Sequence, residues 1–226
     1  MSIDGFIEVI SYWRFIAKGL GLTVWIAAVS IVAGSILGLV VALMRLTPHW
    51  AINWPARLYI DFVRSTPILV QLLWVYFALP ILTGVSLTPL VAAIGTLSFH
   101  SGPFLGEVFR AGILSVERGQ KQAAFSLGMR PVQVFMRVVW PQAFGRMLPP
   151  TGNIFISLIK NSALASVVGV SELMWKTQAV GGYTFEDMEA FTVAAAVYVV
   201  FLIIPMSQLI NFVNRRMSPE AIGGRR

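Results

Sequence analysis

From Leu20 to Met44 the chain runs for 25 residues, LGLTVWIAAVSIVAGSILGLVVALM, without a charged side chain. A helix needs about 20 mostly apolar residues to cross the hydrocarbon of a bilayer. A second stretch, from Ser65 to Gly106, also lacks Asp, Glu, Lys and Arg. It is too long for one helix, and Pro80, Gly84 and Pro89 interrupt it. Two spans are therefore expected there, near 59–80 and 87–106, after a first span at 20–44. Two further apolar runs predict spans at 147–170 and 190–213. The expected fold class is an all-α membrane protein with five transmembrane helices. Composition agrees: 12% of residues are charged, against about 25% in soluble domains.

Loop charge sets the expected orientation, because Lys and Arg gather on the cytoplasmic side. With the N-terminus outside, the inner segments 45–64, 107–146 and 214–226 hold thirteen basic residues: Arg45, Arg57, Arg64, Arg110, Arg118, Lys121, Arg130, Arg137, Arg146, Arg215, Arg216, Arg225 and Arg226. The outer segments hold three, Arg14, Lys18 and Lys176. An N-out, C-in arrangement follows. Residues 1–18 lie outside in this reading, with 3–18 as a short interfacial helix carrying Phe6, Ile7, Ile10, Trp13 and Phe15. A transmembrane domain occupies 19–215 and an inner tail 216–226. A cleaved signal peptide is disfavoured, since its apolar core is about 7–15 residues long.

The same residues exclude several classes. The chain has no cysteine and only two histidines, His49 and His100, far apart, so no metal site or cofactor is expected. The net charge of +7 is explained by topology, and no nucleic-acid partner is expected. There is no G-x-x-x-x-G-K-[ST] to cradle phosphate, no H-E-x-x-H and no G-x-S-x-G. The chain is not expected to be an enzyme, and any ATP hydrolysis must come from another polypeptide.

The longest inner segment contains GQKQAAFSLGMRPVQVFMRVVWPQAFGRMLPP, residues 119–150. A short helix is expected to end at Gly128, the residue type that accepts a left-handed conformation after a last turn. A second is expected to start at Pro131 and to stop or kink at Pro141. Val132, Phe135, Val138 and Val139 make an apolar stripe on it. Such a segment suits either an interfacial loop in the headgroups or a dock for a cytoplasmic protein.

This run resembles the coupling loop, or EAA motif, of permease subunits of bacterial ABC importers. The family pattern is Glu-Ala-Ala, a glycine four residues on, and Leu-Pro thirteen residues beyond it. Here it reads Gln122-Ala123-Ala124, Gly128 and Trp140-Pro141. DFVRSTPILVQLL at 61–73, GEVFRAGILSVERGQKQAAFSLG at 106–128 and LPPTGNIFISLIKNSALASVVGVSEL at 148–173 resemble the polar amino acid branch. The resemblance covers about 18–215. It implies a type I ABC importer permease fold in a bacterial inner membrane, with a coupling loop at 117–146 that sits in a groove of an ATP-binding subunit. Gln122, Ala123, Ala124, Gly128 and Pro141 are the implied coupling residues. Gln122 stands where the family has an anion near a helix N-terminus; its amide keeps the hydrogen bonds and lacks the charge of an ion pair to the ATPase. The implied partners are two ATP-binding subunits, a second permease copy or paralogue, a periplasmic solute-binding protein and membrane lipid. The implied cargo is a polar amino acid or a close analogue.

Polar residues inside the spans are candidates for the path. Lys160, followed by Asn161 and Ser162, lies about ten residues from either end of its span. It suits a path lining, a buried pair or a snorkelling side chain. Glu107 and Arg110 share a helix face and suit a local ion pair, as do Asp61 and Arg64. The resemblance places Glu107 near the path. Gln71 is expected on the face of Arg64. Gly34 and Gly38 fit small-xxx-small helix packing. The outer loop at 170–191 suits either a receptor dock or a linker. A self-contained secondary transporter is the alternative, but no internal repeat supports it.

Overall fold

The computed structural model describes residues 2–217, and these form nine helices. They are α1 (Ile3–Ser11), α2 (Trp13–Leu46), α3 (Trp50–Ser65), α4 (Ile68–Thr83), α5 (Pro89–Leu114), α6 (Arg118–Ser126), α7 (Pro131–Val168), α8 (Leu173–Thr184) and α9, which starts at Asp187 and runs through Ile204–Met217. The expected tail beyond Met217 lies outside the described residues. By length and composition, α2 and α9 can cross a membrane. The number rises to four if the bent pairs α3–α4 and α7–α8 each count as one span.

α5 lies at the centre of the bundle, and its residues suit it to close packing. At 26 residues it is about 39 Å long. Its buried positions include Ala92, Ala93, Thr96, Ser98, Ser101 and Gly102, small or polar side chains that admit a neighbouring backbone. α2 packs along it. A Cβ at Gly38 would stand 2.7 Å from the Leu105 Cβ and 2.9 Å from the Gly106 nitrogen, and one at Gly34 would collide with the Ser101 hydroxyl. Small residues on facing helices let the two backbones touch, the packing that holds helices together in lipid. One core cluster gathers Ile26, Leu72, Leu97, Leu158, Ile159 and Leu173. A second, Ile113, Val116, Ala124, Val134, Val139, Ala143 and Met147, lies under the loop that holds α6.

Three sequence expectations are corrected. α1 ends at Ser11, and residues 13–18 belong to α2, which has 34 residues. Nothing between Trp13 and Leu20 breaks a helix. α1 nonetheless exposes Ile3, Ile7 and Ile10, the row expected of an interfacial helix. The second correction concerns residues 50–83. Thr66 precedes a proline and is extended (φ −112°, ψ 134°), as the proline ring requires. α3 and α4 therefore meet at 105°, and Gln71 does not share a helix face with Arg64.

The third correction concerns Pro141, which neither stops the helix nor isolates a short one. α7 runs on through it from Pro131. A π-helical turn at Phe135–Val139 precedes it, in which the Trp140 N–H bonds the Phe135 carbonyl. A proline lacks an N–H and its ring crowds the carbonyl four residues back. The wider i→i−5 turn accommodates this defect. The same device occurs twice more: Trp74–Ala78 precedes Pro80 in α4, and Tyr198–Ile203 precedes Pro205 in α9.

Candidate functional site

The loop expected on the inner side is built on α6. Its C-terminus closes with the Met129 N–H on the Ala124 carbonyl (3.2 Å) and the Gly128 N–H on the Phe125 carbonyl (2.9 Å). Gly128 has φ +76°, a conformation in which an L side chain is strained. No atom lies within 4 Å of where its Cβ would be. The two alanines have different surroundings. Ala124 is buried against Val116, Val134 and Val139, whereas Ala123 is exposed. Gln122, Gly128 and Pro141 are exposed too, and Leu127 is 83% exposed. α6 is tied to α7 by the Gln142 amide donating to the Gln120 carbonyl oxygen at 2.6 Å. The expected stripe is corrected at one place: Val132 points out (71% exposed), and Val134 takes its place in the core.

Lys160 is exposed on the side of α7, and none of the described residues is bonded to its ammonium. Asn161 is half-buried beside Leu72, Thr96 and Leu97. Ser162 is buried and donates to the Ile159 carbonyl at 2.8 Å, so it does not share the open face of Lys160. Gln71 is buried, and its amide nitrogen lies 3.1 Å from the Val63 carbonyl oxygen, 3.2 Å from that of Thr66 and 2.6 Å from the Thr66 hydroxyl. Its carbonyl oxygen faces His100 Nδ1 at 3.3 Å. The side chain thus caps the end of α3 and fixes the elbow. Its remaining surface borders an apolar groove of about 680 Å³ lined by Phe62, Trp74 and Phe99.

Glu107 accepts from Arg110 at 2.8 and 3.1 Å and lies 3.9 Å from Arg45 Nε. Arg45 in turn donates to Asn53, which Arg57 also reaches at 2.8 Å. One polar chain therefore joins the C-terminal end of α2, the first half of α3 and the second half of α5. Asp61 and Arg64 form no ion pair. The Arg64 guanidinium stands over the Phe104 ring at 5.2 Å instead.

Glu172 was not singled out by the sequence, yet it is fully buried. It caps α8, accepting the Met174 and Trp175 N–H groups at 2.9 and 2.8 Å. The Tyr198 hydroxyl of α9 donates to it at 2.9 Å, and the Thr23 hydroxyl of α2 lies 3.2 Å away. Its position just before an apolar helical run was the available signal.

A family model described as the binding-protein-dependent transport system inner membrane component matches residues 30–219. The chain belongs to this family. It is therefore a permease, the membrane component of a transport system that also employs a solute-binding protein, and the ATPase of such a system is a partner subunit. This permease is 37% identical over 189 residues to the probable amino-acid ABC transporter permease protein YckA of Bacillus subtilis, covering 84% of this chain and 83% of that one. It is 35% identical to the arginine transport system permease protein ArtQ of Bacillus subtilis (90% and 93% covered). To the glutamine transport system permease protein GlnP of Escherichia coli K12 it is 32% identical (88% and 91% covered). The permease superposes on a chain of the crystal structure of an amino acid ABC transporter with histidines, with a TM-score of 0.87 at 33% identity. That match covers 96% of this chain and 100% of the other. The inward-facing MetNI methionine ABC transporter shares the fold, with a TM-score of 0.77 at 21% identity.

Proposed function

We propose that this permease is half of the pore of an ATP-driven importer for a polar amino acid, driven through α6. The observation that carries the reading is the open face of the α6 loop. Ala123, Gln122 and Gly128 are exposed beside Phe125 and Leu127, while Ala124 anchors the helix to the bundle. A helix held firmly from below, with small residues that admit a close backbone and apolar side chains left uncovered, suits a groove in a partner. In this reading five crossings run through α2, the α3–α4 elbow, α5, α7 and α9, with the N-terminus outside. Thirteen inner basic residues against three outer ones support that orientation. Two ATP-binding subunits, a second permease copy or paralogue and a periplasmic receptor complete the machine.

Pro141, beside its π-helical turn, is the point where loop motion would enter α7. Lys160 is the leading path residue: an exposed, unbonded ammonium at membrane depth is costly and would meet a solute carboxylate or a carboxylate of the second permease. Asn161 and Glu107 remain candidates beside it. Ser162 and Gln71 would act by shaping the helices, since their polar atoms are committed internally. Similarity to glutamine, arginine and cystine permeases supports an amino-acid cargo.

The test is uptake of labelled glutamine, arginine and cystine by vesicles holding the permease, its ATPase and its receptor. Accumulation of one of them that needs ATP is expected. Uptake by the permease alone, driven by an ion gradient, would make it a secondary transporter instead.

A further inference from the structure

Glu172 is a buried carboxylate surrounded by donors, with no cation paired to it among the described residues. Two of them are the free N–H groups at the start of α8, where the helix dipole favours an anion. The other two come from separate helices, Tyr198 of α9 and Thr23 of α2. The Thr23 hydroxyl also accepts the Leu173 N–H at 3.1 Å, so α2 and α8 are bonded in both directions. The contact is close: a Cβ on Gly19 would lie 2.7 Å from the Leu173 Cα and nitrogen. α8 is otherwise set off from α7 by a 50° bend and by Gly169 at φ +87°. With 12 residues it is about 18 Å long. Its far end is Phe185, held at φ +60° and 91% exposed, a conformation that is strained for a non-glycine residue and typical of functional segments.

We infer that Glu172 is a positioning residue for transport: it fastens the base of α8 to α2 and α9, so that a receptor pressing on the outer end of α8 moves the bundle rather than only the loop. The inference rests on the proposed importer reading, in which a receptor docks on the outer face. Packing also holds α8 along α9, where a Cβ on Gly181 would lie 2.9 Å from the Ala190 Cβ; without the latch the base of α8 would lose its polar ties to α2 and α9, and the receptor's contact would be absorbed there.

ATP hydrolysis by the complete transporter in lipid vesicles separates the alternatives, measured with and without the receptor loaded with the amino acid that the uptake panel identifies. Glu172→Gln removes the charge, Tyr198→Phe removes one donor, and Glu172→Asp keeps a capping carboxylate. Glu172→Gln is expected to cut the receptor-stimulated increment about tenfold, the factor carried by a lost charge-assisted hydrogen bond. Basal hydrolysis should stay within about twofold, a change in line with its distance from the loop. Tyr198→Phe should do the same more mildly, and it decides the matter if Glu172→Gln fails to assemble. Glu172→Asp should restore part of the increment. Normal stimulation in Tyr198→Phe and Glu172→Gln would overturn the inference and leave the importer reading standing. So would a fall of basal and stimulated hydrolysis in proportion, which a merely structural role produces. Absence of stimulation in the unmodified transporter would overturn the docking reading and this inference together.

Discussion

The α6 loop and the base of α8 in this permease satisfy their polar and apolar groups in opposite ways. At the base of α8, Glu172, Thr23 and Tyr198 bond one another inside the bundle, and Gly19 brings α2 against it. At the loop, Ala124 is buried, but Ala123, Leu127, Gly128 and Val132 face outward with nothing over them. The base of α8 is satisfied within one chain, although its far end leaves Phe185 exposed; in the proposed reading the loop is finished by another protein. In the proposed reading this segment lies outside the bilayer, where a cluster of exposed apolar groups marks an interaction site. In the proposed reading, the difference marks where a single chain ends as a structural unit and where the transporter begins.

That contrast can be broken most strongly at Gly128. Gly128→Asp has room in the isolated chain, and aspartate tolerates φ +76° better than most residues. The variant should insert normally yet lose ATP-coupled uptake in vesicles altogether. Retained coupling would mean that the open face is not a dock. At the base of α8 the expectation reverses, with damage to folding. Gly19→Val forces a side chain into the Leu173 backbone and should cost about 1–3 kcal/mol, read as a lower melting temperature in detergent. Gly21→Val, which meets no atom within 4 Å, should leave the melting temperature unchanged.

Lys160→Met probes a third region, open like the loop but, in the proposed reading, at membrane depth. It should shift the apparent affinity for the transported amino acid about tenfold, the size of one charge-assisted hydrogen bond. Unchanged uptake across the amino acids would move Lys160 to a structural role. The smallest effect is expected for Gln122→Glu, which restores the anion that the coupling-loop motif carries. An exposed ion pair is worth at most about 1 kcal/mol, so ATPase binding should tighten by less than about fivefold. The gain should fade at high salt.

The parts of this fold legible in the sequence are those set by local chemistry. A charge-free run announced α2. The glycine after QKQAAFSL announced the end of α6, because only a left-handed residue closes that turn, and φ +76° is what stands there. Gly34 and Gly38 announced a close helix contact, and α5 supplies it. What escaped depended on three dimensions. Hydropathy does not register that Thr66-Pro67 turns the chain by 105°. Nor does a proline reveal that a π-helical turn ahead of it will carry the helix on, as at Pro141. Glu172 read as one more acid in an outer loop, since its bonding partners lie 149 and 26 positions away along the chain. Among the candidate path residues, spacing grouped Lys160 with Ser162, but a helix turns about 200° between them. One faces out and the other is buried.

The central claim is that residues 118–146 form a cytosolic handle gripped by an ATPase, and the absence of cysteine from the chain makes it directly measurable. A single substitution, Leu127→Cys, places a thiol on the most open part of the loop. The account predicts no labelling by a membrane-impermeant maleimide in intact cells. It predicts full labelling in inside-out vesicles stripped of the ATPase, and protection when the ATPase is added back. Labelling in intact cells, or reactivity that the ATPase leaves unchanged, would contradict it.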